Sequence, residues 1–417
     1  MFMIQKKNNK KYWFIITLLS FEILLTLLFS FSDIGGFSLT PYIRLGLIAF
    51  TVLFFATDIL KITIPLTINF TKIPYVNLFV YGWVLFAGLS ILIGLFNKNP
   101  PLYIITDFIY TFLGALLFYV TTKNKKITEN NATFYIKLSR VLCFIAVCCI
   151  IFNLKAPALL LVLMVVLLYL NLLKNRFLDV LLLVIPYCAL VISSNRSQLI
   201  VFLLMIFILF LKNFRYFFTK KSVLAIGIGA ISIIVLLKEQ LLNFALLFVD
   251  KKSNIGFRIN QLSIIFKEGI DYSNPFFVSI SQRIVEAEIV MNYWTQNILS
   301  FVFGMGSGAT IDGSSVFSDG SVLNSALLGS GKIHNIHLLP FSLIFRYGFI
   351  GLLLFILITY IVYQSFIKVL NESSDSSIIF WNLFLILWFF FSVPAASFLW
   401  SMPVFWISLS MITKKNI

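Results

Sequence analysis

Charge is scarce in this sequence: Asp, Glu, Lys and Arg make up 12% of its 417 residues, while 60% are hydrophobic and 17% aromatic, with a mean hydropathy of +0.99. So little charge cannot cover the surface of a soluble protein of this size, so the chain belongs in a bilayer. Acids are scarcer than bases, 16 against 32, which leaves a net charge of +16. Such an excess alone is compatible with a nucleic-acid footprint, but the Lys and Arg fall in short clusters between apolar runs. Positive charge there marks the cytoplasmic side, so nucleic acid is not an expected partner. Cysteine is rare too, and Cys143, Cys148, Cys149 and Cys188 all lie inside apolar runs. They read as small buried hydrophobes, which argues against a disulfide or metal framework. Histidine is rarest, with only His334 and His337, both in the stretch KIHNIHLLPFSLIFRYGFIGLLLF from Lys332 to Phe355. A small-residue cleavage site is missing after the first apolar run, which follows Lys6, Lys7, Lys10 and Lys11, so that run is expected to stay as a membrane anchor.

What is abundant is long apolar runs. Spans of roughly 17 to 25 apolar residues give about twelve candidate helices. They begin near Tyr12, Tyr42, Tyr75, Tyr103, Leu138, Ala156, Leu178, Ser197, Ser222, Leu338, Ile378 and Ala395. With the N-terminus inside, the inner loops carry Lys61, Lys72, Lys123, Lys125, Lys126, Lys137, Lys174, Arg176, Lys212, Arg215, Lys220, Lys221, Lys368, Lys414 and Lys415. The outer turns carry only Lys98, Lys155 and Arg196, and this asymmetry predicts that both termini are cytoplasmic. The fold expected is an all-α polytopic membrane protein, divided into helices over 1–237, a large outer loop over 238–337 and further helices over 338–417.

That loop is far longer than an ordinary connection, and loops of such length are usually functional. Helix-like spacing runs over Ile255–Lys267 and Phe276–Phe301, with Ile284, Ala287, Val290, Met291 and Trp294 expected on one face. Gly304 to Gly331, rich in Gly and Ser, reads as mobile coil. Arg196 in SSNRSQ, Arg258 in GFRINQ and Arg283 in SQRIVEAE all fall on the predicted outer face, the side disfavoured for cations. The planar guanidinium fork suits bidentate contact with phosphate or diphosphate, although an arginine at headgroup level also snorkels to lipid. His334 and His337 are the groups on this face with an ordinary pKa near neutrality, and capping or interfacial packing is the plainer role for either.

Other signals lead nowhere. LLGSGKI lacks the Ser or Thr and the leading Gly of a phosphate-binding loop, and GMGSG is too short for a dinucleotide fingerprint. Glu22, Asp58 and Asp107 lie in or near spans and read as pore-side or interhelical polar contacts. The first outer loop, Ser32 to Pro41, has the single acid Asp33, short of the carboxylate pair that would hold a divalent cation there.

The succession of SSNRSQ, an Arg283-led segment ending in GMGSG, and HNIHLLPFSLIFRYGFIGLLL resembles the O-antigen polymerase and O-antigen ligase superfamily. The matching positions are Arg196, Arg283, Gly304, Gly306, His334, Asn335, Leu338, Gly348 and Gly351, over about Leu178 to the C-terminus; His337 stands where a Tyr is frequent. The resemblance implies a GT-C-like membrane enzyme of the bacterial inner membrane, acting on its periplasmic face in lipopolysaccharide or capsule synthesis. Its reaction would be glycan transfer from undecaprenyl diphosphate to a sugar hydroxyl, without metal or other cofactor. His334 is then the expected base, and Arg196 and Arg283 stabilise the leaving diphosphate. Arg258, Asn335, His337, Tyr293, Trp294 and Arg346 are expected to bind substrate. Expected partners are undecaprenyl-diphosphate-linked repeat units, membrane lipids, a chain-length regulator and a flippase. A ligase acting on lipid A core or a wall acceptor is the near alternative, and a lipid-linked oligosaccharide flippase or transporter is the alternative from another class.

Overall fold

The computed structural model describes Ile23, Gly46, Ala49 and Leu53, then residues 74–123, 132–152, 154, 156–193, 196–213, 260–261, 263–264, 278–312, 332–372, 375–395 and 397–413. Over these residues the chain is almost entirely helical. In order, the elements are α1 (Tyr75–Phe96), α2 (Pro101–Lys123), α3 (Ala132–Ile151), α4 (Ala158–Leu173), α5 (Phe177–Ser193), α6 (Arg196–Lys212), α7 (Val278–Trp294) and α8 (Ile298–Phe303). A two-residue ladder of β1 (Ile311–Asp312) and β2 (Lys332–Ile333) follows, then α9 (Leu339–Asn371), α10 (Ser376–Ser392), α11 (Ser397–Ser401) and α12 (Pro403–Ile412). Among the described residues, four helices are long and apolar enough to cross a membrane, α1, α2, α3 and α9, and five shorter apolar helices accompany them.

The packing follows from how apolar each helix is around its circumference. α4 (ALLLVLMVVLLYLNLL) and α10 (SSIIFWNLFLILWFFFS) are hydrophobic on every side, and a helix of that kind must be enclosed. α10 packs against α4, α6, α9 and α12, while α4 packs against α3, α5, α6 and α10. α1 shows the arrangement of a lipid-facing helix. Phe79, Val80, Trp83, Ala87, Ser90 and Gly94 face inward, whereas Leu78, Tyr81, Leu85, Leu89 and Leu92 stay exposed. An exposed apolar stripe of that length would be costly in water and is matched by hydrocarbon.

Expected spans near Tyr75, Tyr103, Leu138, Ala156, Leu178, Ser197, Leu338 and Ile378 coincide with helices; the one near Ser222 lies outside the described residues, of the one near Tyr12 only Ile23, helical and buried, is described, and of the one near Tyr42 only Gly46, Ala49 and Leu53, all helical. α3 starts before Leu138, so Lys137 belongs to its first turns and not to a loop. The expected last span from Ala395 is broken: α11 stops at Ser401 and α12 restarts at Pro403, because Pro has no N–H to continue a helix but fits its first position.

α9 is broken as well. At Gly348 the backbone turns to φ 61°, ψ −139°, and the helix resumes in a new direction. From Phe349 to Asn371 it rises about 35 Å, enough to cross a hydrocarbon core of about 30 Å, so the break lies at one end of the span. The interruption leaves the carbonyls of Phe345 and Arg346 without helical partners. Met305 N–H and Gly306 N–H supply them, at 2.8 and 3.1 Å. The segment expected to be mobile coil is therefore fixed over Gly304–Asp312, while residues 313–331 lie outside the description.

Two backbone crossings hold this loop. A Cβ on Gly348 would stand 2.4 Å from Gly304 N, and one on Gly306 (φ 85°) would stand 2.3 Å from Gly94 N in α1. Asn99 Nδ2 donates to the carbonyls of Met305 and Ser307, both at 2.9 Å, and Ser307 N–H donates to Ser90 O at 3.0 Å. Gly306→Ala is expected to destabilise the protein by at least about 1–3 kcal/mol through backbone strain alone. Gly88→Ala, with nothing within 4 Å of the added carbon, should be neutral or stabilising by up to about 1 kcal/mol. Thermal unfolding of the purified variants in detergent checks the contrast; equal midpoints would contradict a packed loop.

Candidate functional site

Where α1, α2, the glycine loop and the break in α9 meet, a carboxylate is enclosed. Asp107 stands on α2 about 9 Å of helix rise from Pro101 and about 24 Å from Lys123, so it sits towards the end of the span that holds the glycine loop. Its Oδ2 accepts from Gly308 N–H at 2.9 Å and from Arg346 Nε at 3.1 Å, and its Oδ1 lies 3.1 Å from His334 Nε2. Arg346, 3% exposed, also donates through Nη1 to Ser342 Oγ at 2.6 Å and through Nη2 to the His334 carbonyl at 3.3 Å. Trp400 of α11 places its ring 5.4 Å from the guanidinium carbon. A cation over an aromatic face gains further attraction where water is excluded, and both Arg346 and Trp400 are buried.

His334 is locked on every side. Its ring stacks on Tyr103 with centroids 4.4 Å apart and planes within 3°. A carbonyl only accepts, so the contact of Nδ1 with Ala309 O at 2.9 Å puts a proton on Nδ1. Nε2 then either donates to Asp107 Oδ1, as an imidazolium, or accepts from Arg346 Nη2 at 3.3 Å as a neutral ring. In both states the two ring nitrogens are engaged inside the protein. The residue chosen from sequence as a base is held as a strut of the ion cluster.

His337 differs. The buried Glu286 of α7, 1% exposed, accepts from His337 backbone N–H at 2.9 Å through Oε2 and bonds ring Nδ1 at 2.8 Å through Oε1. The His337 side chain is 41% exposed, and among the described residues no bond reaches its Nε2. The buried face of α7 is Glu286, Ile289 and Val290, with Tyr293 half-buried. It departs from the expected face, since Met291 is exposed; the helix buries its carboxylate to reach His337, which an apolar count could not foresee.

The other sequence candidates divide. Arg346 joins the cluster directly, and Gly304, Gly306 and Gly348 converge beside it, while Gly351 lies against Leu343 and Ile344 across the break in α9. Arg283 is half-buried on α7, one turn before Glu286, and is not among the partners of Asp107. Arg196 is the first residue of α6, its side chain being outside the description, as is all of Arg258. Asn335 is exposed between the histidines. Tyr293, half-buried, packs edge-on to Phe345, and Trp294, also half-buried, stacks on Phe301 while donating to its carbonyl at 2.7 Å. Sequence reasoning gave Asp107 as a pore-side or interhelical polar contact but not that it ties His334 to Arg346; it missed Glu286, Ser342 and Trp400. The lone acid in the α2 span and a glutamate facing an apolar helix stripe were the available signals.

A metal finds no favourable seat at Asp107 and His334, because the fixed cation of Arg346 already occupies the carboxylate. No protein-family model, curated protein or solved structure matches this chain significantly.

Asp107→Ala would leave a buried guanidinium without its counter-charge, and a loss of about 3–5 kcal/mol is expected. Replacing both partners with apolar residues, Asp107→Leu with Arg346→Met, should recover most of it. Unfolding midpoints of the single and double variants decide this, and a single variant as stable as the wild type would remove the cluster's structural role.

Proposed function

We propose that the protein is a polysaccharide polymerase at the outer face of a bacterial cytoplasmic membrane. It would transfer a growing glycan from undecaprenyl diphosphate to the non-reducing end of an incoming lipid-linked repeat unit. The observation that carries this reading is the Asp107–His334–Arg346 cluster, closed off by the Gly304–Gly308 loop at one end of an apolar bundle. Ionised groups enclosed among apolar helices are expensive, and they are kept where polar or charged substrate is handled. The residues of the family resemblance that meet at this point, Gly304, Gly306, His334 and Gly348, come from separate stretches of the sequence and gather around Arg346, which supports a shared site.

The chemistry asks for two things. Charge grows on a leaving diphosphate, and in this proposal Arg196 and Arg283 meet it with fixed cations, so neither metal nor ATP is called for. The attacking sugar hydroxyl also needs a proton acceptor within hydrogen-bond reach. The end of the bundle holding the site is the end of the Lys98 turn, and the distribution of positive charge favours the outer side for it. A chain-length regulator and a flippase would work alongside.

The broken helix favours a second reading, a lipid-linked oligosaccharide transporter, because transporters build their sites from interrupted helices. Such sites lie near the bilayer midplane, whereas the break at Gly348 has a full membrane thickness of helix on one side of it. The polymerase is therefore preferred. A ligase shares the same chemistry and differs in acceptor.

Purified protein given its native undecaprenyl-diphosphate repeat unit, in chelator and without ATP, is expected to make a ladder of glycan lengths. Arg196→Ala and Arg283→Ala should each slow it about 100-fold or more. In cells, deletion should leave lipid A core capped with single repeats; bare core with stranded lipid-linked polymer would instead identify a ligase. Movement of the repeat unit across vesicles without any ladder would turn the assignment to a transporter.

A further inference from the structure

The geometry points to His337, and not His334, as the residue that removes the proton from the attacking sugar hydroxyl, with Glu286 as the residue that positions it. This rests on the glycosyl-transfer reading above. A general base must offer a lone pair on a reachable nitrogen, and the two imidazoles of this chain differ on that point. His334 has Nδ1 on Ala309 O, Nε2 in the ion cluster and one ring face covered by Tyr103. His337 has Nδ1 on Glu286 Oε1 and an exposed ring.

The carboxylate does three things for that ring. It accepts the Nδ1 proton, so the neutral tautomer carries its lone pair on Nε2. It stabilises the imidazolium once Nε2 has gained a proton, with little screening because it is almost wholly buried. It also takes His337 backbone N–H, so ring and main chain are fixed by the same group and the imidazole is aimed before substrate arrives. Burying a carboxylate on an apolar helix face is costly unless it is so paired, and Glu286 finds both bonds in one residue.

In the step itself, a lone pair of the acceptor hydroxyl oxygen forms the bond to the anomeric carbon. The bond from that carbon to the diphosphate oxygen breaks and its electron pair leaves with undecaprenyl diphosphate. The hydroxyl proton passes to His337 Nε2 and is then released to water, which returns the neutral ring. Asp107, Arg346 and His334 hold the break in α9 and the glycine loop in place beside it.

The test has a substrate-free arm and a kinetic arm, both on the full-length, tag-free protein in detergent. Diethyl pyrocarbonate, with the labelled histidine read by mass spectrometry, is expected to modify His337 at least tenfold faster than His334. Equal rates, or His334 first, would overturn the geometry whatever the protein's activity. In the ladder assay, His337→Ala should lower kcat about 100-fold or more with KM little changed, and added imidazole should restore part of it. Glu286→Gln is the sharper variant. Its amide preserves shape and still accepts from His337 N–H, but its NH2 turned to Nδ1 forces the ring proton onto Nε2 and blocks the base. A loss of similar size is expected, non-additive with His337→Ala, and partly avoided in Glu286→Asp. A wild type that makes ladders while His337→Ala keeps its rate within threefold would overturn the role of His337. Loss in His337→Ala with Glu286→Gln unaffected would overturn the pairing. A wild type that makes no ladder, with His337 labelled as expected, would overturn the polymerase reading and with it the step assigned here, leaving the dyad geometry standing.

Discussion

The carboxylate of Asp107 is the point on which this end of the molecule depends. It accepts from a backbone amide of the glycine loop and from a guanidinium of the broken helix, and it contacts the imidazole of the segment after the ladder. The segments around Gly308, His334 and Arg346 are thereby tied to one pair of oxygens on α2, more than two hundred positions away in sequence. A buried charge of either sign is unfavourable by itself, and the two are tolerated together because each satisfies the other's hydrogen-bonding capacity. That mutual need makes the arrangement specific: moving α2, α9 or the loop strands a charge in an apolar setting.

Backbone geometry makes the cluster possible. The break at Gly348 frees the Phe345 and Arg346 carbonyls, and the loop amides of Met305 and Gly306 occupy them. The missing side chains of Gly304, Gly306 and Gly348 allow main chains to cross at distances a Cβ would forbid. The same contact sets Gly308 N–H against Asp107. Main-chain accounting and charge pairing are thus two parts of one junction, and loosening either would expose the other.

The two histidines, three residues apart, illustrate how neighbours can be put to opposite uses. One is surrounded by a carbonyl, an ion pair and a tyrosine ring; the other leans on a buried glutamate and presents its far side outward. Sequence spacing treats them alike, and the motif resemblance favours His334. The distinction arises from partners supplied by α2 and α7, the first of them more than two hundred positions away.

The apolar composition and the run lengths by themselves pointed to a helical chain with helices long and apolar enough to cross a membrane, because bilayer thickness and backbone hydrogen bonding leave few alternatives to a long apolar helix. The family resemblance singled out His334, His337, Arg346 and the glycines, while the run lengths placed the starts of α1, α2, α4, α5, α6, α9 and α10 to within a few residues. They misjudged the glycine-rich stretch as mobile at Gly304–Gly308 and read α12 as part of one continuous span. Flexibility of an isolated segment is local, while what immobilises it comes from other helices. Only the tertiary structure decided that Asp107 joins Arg346, that Glu286 faces His337 and that Trp400 lies over the guanidinium. Each of these is a pairing between distant residues, and such pairings leave no period or spacing in the chain to be read.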